Sequence, residues 1–160
     1  MSANERSPAH YAAHYQHWDL AIKIPLGYLE GCATKYVARW RHKGGLDDLY
    51  KAMHYLDKLM EIYPCPITPR IPSRSEIQYE VSRFCAANHS SIIEEEFIFL
   101  LCSYKNEDNL RTAHLVLEDI IELAKEELTK PIPEPNYPGT PDDGGHHAAG
   151  QANSKELETK

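Results

Sequence analysis

Apolar residues recur every third or fourth position from Leu26 to Leu128, and no stretch alternates with the period of two that a half-buried strand requires. Leu26, Leu29, Ala33, Val37 and Trp40 make one face of a helix that Pro25 opens and that runs to about His42. Leu49, Met53, Leu56 and Met60 mark the buried side of a second, from about Asp47 to Tyr63. Gly44 and Gly45 between them tolerate positive φ, which predicts a tight turn and an antiparallel hairpin. The segment PCPITPRIP, Pro64 to Pro72, lacks the N–H donors to continue a helix and reads as a stiff connector. Ser73 with Glu76 and Ser91 with Glu94 then have capping-box spacing. They open helices whose inner faces are Ile77, Val81, Phe84 and Cys85, then Ile93, Phe97, Leu100, Leu101 and Tyr104. A fifth helix runs from about Asp108 to Leu128 through Leu110, Ala113, Leu117, Ile121 and Ala124.

The expected fold is all-α, with about five helices in two antiparallel helical hairpins, an N-terminal arm and a flexible C-terminal tail. Residues 1–63 hold the arm and the first hairpin, 64–72 the connector, 73–130 an acidic helical region packing on the first, and 131–160 the Pro- and Gly-rich tail. Asp47, Leu49, Ala52 and Leu56 match Asp108, Leu110, Ala113 and Leu117 at constant offset. That echo is either a record of duplication or the common look of amphipathic helices.

With 160 residues and 42% apolar content the chain can bury one core without disulfides or a structural metal. Cys32, Cys65, Cys85 and Cys102 form no C-x-x-C pair and suit reduced thiols of a cytoplasmic protein. No apolar run approaches the ~18–20 residues that cross a bilayer, and MSANERSPAH lacks a signal-peptide core, so a soluble protein without membrane attachment is expected.

Charge changes the picture. The net charge is −7, yet Lys35, Arg39, Arg41 and Lys43 fall between Glu30 and Asp47 with no acid among them. Residues 1–64 hold eight Lys and Arg against seven Asp and Glu, whereas residues 65–130 hold seven against twelve. A local positive field in an acidic chain suits a phosphorylated small molecule better than nucleic acid, which favours a broadly basic surface. Lys35, Arg39 and His42 share a helical stripe, and Asp47 or Asp48 can cap the next helix, so a phosphate fits between stripe and helix start. A solvated basic face ending in a glycine cap explains the same residues.

Other groups stay open. His10, His14 and His17, with Tyr11, Tyr15 and Trp18 interleaved, suit a lid over a nucleotide, a packed arm or, less well, a metal site. Tyr36, Tyr50 and Tyr55 can stack a base or pack inward, while Trp40 reads as core. Lys51, Tyr55 and Lys58 form a stripe that would close a pocket if it faced the first one. Glu94, Glu95 and Glu96 with Glu118 and Glu122 lack the clean paired spacing of Mg²⁺-binding helical pyrophosphatases and read as a solvated face.

The segments HYQHWDL and YLEGCATKYVARWRHKGGLDDLYKAMHYLDKL resemble the SaV-like family of small phage proteins, over roughly residues 10 to 62. His14 and Tyr15 (or His10 and Tyr11), Lys35, Tyr36, Arg39, Lys43, Gly44, Asp48, Leu49, Lys51, Ala52, Tyr55 and Leu56 carry the resemblance. That family includes a nucleoside-monophosphate kinase without a P-loop, and no G-x-x-x-x-G-K-[ST] occurs here. The resemblance implies a nucleotide site in the cytoplasm of an infected bacterium. In that reading Lys35, Arg39 and Lys43 would stabilise a transferring phosphoryl group, and Asp47 or Asp48 would hold Mg²⁺ with ATP. Arg41, Gly44, Lys51, Tyr55 and the His-Tyr arm with Trp18 would complete the substrate site. Two alternatives use the same residues: a non-catalytic sponge for a nucleotide-derived host defence signal, and a helical interaction protein docking on a host partner. Homo-oligomers suit all three.

Overall fold

Local hydrogen bonds fix where the later helices begin. The computed structural model describes residues 15–64 and 72–130. Ser73 and Ser91 accept from the backbone N–H groups of Glu76 and Glu94, whose carboxylates accept in return from the serine N–H groups at 2.7 and 2.8 Å. These are the two capping boxes read from the sequence; each is worth about 1 kcal/mol. Asn106 caps the last helix by accepting from the Asn109 N–H at 2.9 Å.

Among the described residues the chain forms α1 (His17–Lys23), α2 (Tyr28–Arg39), a 3₁₀ turn (Trp40–His42), α3 (Leu46–Ile62), α4 (Arg74–Ala87), α5 (Ile92–Ser103) and α6 (Glu107–Thr129), with no strand. The all-α class and the two hairpins, α2–α3 and α5–α6, are as expected. Helices α2, α3, α6 and α5 pack in that cyclic order, α4 lies outside against α5, and α1 bridges α4 and α2. Polar contacts give the directions. Arg41, just after α2, pairs with Glu94 at the start of α5 and Glu127 at the end of α6. At the other end the Tyr104 hydroxyl donates to Glu30 at 2.6 Å and the Tyr63 hydroxyl to the Lys105 carbonyl at 3.1 Å. Each bundle helix therefore runs antiparallel to both of its neighbours.

The core follows the sequence periodicity. Val37, Leu49, Leu56, Phe84, Phe97, Leu110 and Leu117 are each at most 1% exposed. Burying such a side chain contributes roughly 1.5–3 kcal/mol.

Three expectations need correction. Among the described residues there are six α-helices rather than about five, because the supposed arm contributes α1, which buries Leu20 with its neighbours Tyr15 and Ile24. A helix of 7 residues is too short to announce itself by period. Consequently the next helix starts at Tyr28 rather than Pro25, which lies in the link after α1. Third, Glu94 does not belong to a solvated face: it is 2% exposed and accepts a hydrogen bond from Trp40 Nε1 at 2.6 Å. His10, Tyr11, His14, most of the connector and the tail lie outside the described residues. No described helix is long and apolar enough to cross a membrane.

Candidate functional site

The basic segment ends in a turn shaped by its two glycines in different ways. Gly45 has φ +55°, and its N–H donates to the Trp40 carbonyl at 2.8 Å, reversing the chain after the 3₁₀ turn. Gly44 is needed for space instead: a Cβ there would lie 2.3 Å from the Asp48 carboxyl carbon. Asp48 occupies the first turn of α3, where the helix dipole favours a carboxylate, but it does not cap the helix as expected. It is 1% exposed and turns inward.

Both carboxylate oxygens of Asp48 are taken. Oδ2 accepts from Arg39 Nε at 2.8 Å, while Oδ1 accepts from Arg39 Nη2 at 3.3 Å and Lys51 Nζ at 3.2 Å. Burial pushes its pKa up, but the Arg39 and Lys51 hydrogen bonds and charges outweigh it and hold the carboxyl below its usual range. Asp48 thus stays ionised and ties α3 to α2.

Above this pair lies a cluster of aromatic rings. Tyr36 and Tyr55 stack with centroids 5.7 Å apart and planes 15° from parallel, and Tyr28 and His54 meet Tyr55 edge-on. The Arg39 guanidinium lies 4.6 Å from the Tyr36 ring centroid, with Lys51 Nζ at 5.7 Å. A hydrogen bond with Tyr28, aided by the charges of Cys32 and Tyr28, pushes the Tyr55 hydroxyl up to about 12. Tyr36, Asp47, Tyr50, Lys51, His54 and Tyr55 line an open groove of about 520 Å³, within the size range of small-molecule sites.

A second hollow of about 480 Å³ sits at the end of the bundle, lined by Trp40, Arg41, His42, Lys43, Gly45, Glu127 and Leu128. Its main cation is committed: Arg41 pairs with Glu94 and Glu127, and its guanidinium lies 4.2 Å from the Trp40 ring.

The residues singled out in the sequence therefore do not converge on one place. Asp47, Lys51 and Tyr55 line the groove, and the Arg39–Asp48 pair touches it through Lys51, which Asp48 also binds. Arg41 and Lys43 line the end hollow, and Gly44 packs on Asp48. Lys35 is exposed on α2 and lines neither. Its charge acts on His17, whose Nε2 lies 2.9 Å from Thr34 Oγ1; burial, then Lys35, lowers that imidazole to about 4. Tyr15 is packed inside rather than placed in a lid: its hydroxyl donates to Glu80, which also accepts from Lys23 at 3.1 Å. Trp18 is 54% exposed on α1 and lines neither hollow. Lys58 pairs with Glu61 instead of extending the groove.

The donor set does not fit the Mg²⁺ that the resemblance implies. Asp48 has no oxygen free of a cationic partner, Asp47 is the remaining groove carboxylate, and among the described residues no three His, Cys, Asp or Glu are placed to hold a metal ion. His54 is the groove residue that sequence reasoning missed. The signal was present: Asp47, Tyr50, Lys51, His54 and Tyr55 follow i, i+3, i+4, i+7, i+8, one helical face. The chain matches no known protein-family model, no curated protein and no solved structure.

Proposed function

We propose that this protein binds a nucleotide, or a similar aromatic phosphate ester, between α2 and α3 and holds it unaltered. The observation that supports this reading is one groove in which the aromatic rings of Tyr50, His54 and Tyr55 stand beside the ammonium group of Lys51. Aromatic faces accept any base, and Tyr50 is 49% exposed. Lys51, 52% exposed at its side chain, offers a charge-assisted hydrogen bond to a phosphate.

Phosphoryl transfer to a nucleoside monophosphate has less support. It needs cations on the migrating group and a carboxylate-bound metal. Arg39 and Asp48 are bound to each other, and Lys35 and Lys43 stand outside the groove. Retention of a nucleotide-derived signal needs only the rings and Lys51.

Isothermal titration with a panel of nucleotides tests the proposal. Binding should weaken about tenfold or more in Lys51→Ala, a loss of roughly 1.4 kcal/mol or more, and stay unchanged in Lys35→Ala. Ligand recovered after denaturation should be intact. Absence of binding across the panel would refute the site, and conversion of monophosphate to diphosphate with ATP and Mg²⁺ would restore the kinase reading.

A further inference from the structure

We infer that the groove selects a nucleotide carrying a singly charged phosphodiester, as in a cyclic mononucleotide, over dianionic monoesters and polyphosphates. This rests on the nucleotide reading above and follows from how the charges around the groove are matched. Lys51 and Asp47 are the charged residues that line the groove, and the buried Asp48 behind Lys51 is paired with Arg39. Their formal charges cancel. Asp48 is 1% exposed and kept ionised by both cations, so it cannot move aside or accept a proton near neutral pH to make room for a guest's charge.

An incoming phosphate therefore shares Lys51 with Asp48 and faces the exposed carboxylate of Asp47 on the same groove. One negative charge can be met by the outward-facing N–H groups of Lys51. Each further charge finds no unmatched cation in the groove and is repelled by Asp47. Arg41 offers no relief, because Glu94 and Glu127 hold it in the other hollow. The rings impose no such limit, so base binding persists while the phosphate is discriminated.

The test is a titration at low ionic strength, without divalent metal, comparing 3′,5′-cyclic monophosphates, 5′-monophosphates and 5′-triphosphates of one base, repeated for each base. The cyclic diester should bind at least about tenfold more tightly than the triphosphate, with the monoester between them. Asp47→Asn should narrow the gap several-fold by strengthening the triphosphate most. A triphosphate or monoester that binds as tightly as the diester, or a gap indifferent to Asp47→Asn, would overturn the inference while leaving the nucleotide site standing. If no nucleotide binds, the nucleotide reading fails and this inference falls with it.

Discussion

Arg39 Nε lies 2.8 Å from Oδ2 of Asp48, nine residues along the chain, so one cation that marks out a phosphate site in the sequence already holds an internal anion. Removing the anion leaves a partly buried guanidinium without its partner. Asp48→Asn should cost about 2–3 kcal/mol, below the range for a fully buried pair because Arg39 is 27% exposed. Asp47→Asn, one residue away and exposed, should change stability by less than about 0.5 kcal/mol. Urea denaturation of both variants checks the contrast; equal losses would mean that the pair does not hold α2 to α3.

The two glycines of the turn should fail differently. Gly45→Ala meets nothing within 4 Å and suffers only from its backbone, whose φ of +55° with ψ of −141° is a combination reserved almost entirely for glycine, a cost of about 1–3 kcal/mol. Gly44→Ala drives a methyl group into the pinned Asp48 carboxylate, so the loss should exceed about 2 kcal/mol. In the double variant Gly44→Ala with Asp48→Ala the second change should cost much less than it does alone. Thermodynamic cycles from urea melts measure that coupling.

Glu94 accepts from Trp40 Nε1 and Arg41 while its carboxylate also takes the Ser91 N–H at 2.8 Å. Glu94→Ala strands the indole N–H and leaves the 35% exposed Arg41 guanidinium with Glu127 alone, and the expected loss is about 2–3 kcal/mol. Trp40, 5% exposed, should then emit at longer wavelength as water enters. Fluorescence measured in a Trp18→Phe background isolates that signal. An unchanged spectrum with full stability would contradict the burial of this group.

His17 supplies a pH dependence of defined sign. Its folded pKa is about 4, lowered by burial and then by Lys35 from an unfolded value near 6.5. The unfolded chain binds the proton more readily, so the stabilisation is complete above pH 6.5 and is lost as pH falls toward 4. Between pH 7 and pH 5 the loss should be about 2 kcal/mol. His17→Gln, which keeps a polar partner for Thr34, should flatten this part of the profile. Lys35→Ala should flatten it slightly by letting the imidazole charge more easily.

What could be read from the chain was local. The capping pairs Ser73–Glu76 and Ser91–Glu94, the inward face of α6 and the burial of Trp40 all depend on spacings of one to eight residues. The fate of the basic segment depended on distant partners. Glu94 and Glu127 lie 53 and 86 positions from Arg41, and no periodicity foretells that they neutralise it. Helix α1 escaped notice because its 7 residues complete too few turns, although Leu20 and Ile24 are spaced to pack together. The groove was half legible: Tyr55 and Lys51 stood out as a stripe, whereas the pairing of Arg39 with Asp48 changed what that stripe can bind.

Polar ties close the bundle at both ends, with Trp40 and Arg41 on Glu94 at one and Tyr104 on Glu30 with Tyr63 on Lys105 at the other. Aliphatic ridges alone would let one hairpin slip along the other by a helical turn of about 5.4 Å at modest cost. Here such a slide would drag a carboxylate into hydrocarbon and unhook the tyrosines at the opposite pole in the same movement. The pairing of the hairpins thus has a single permitted register, set by a handful of side chains outside the oily interior.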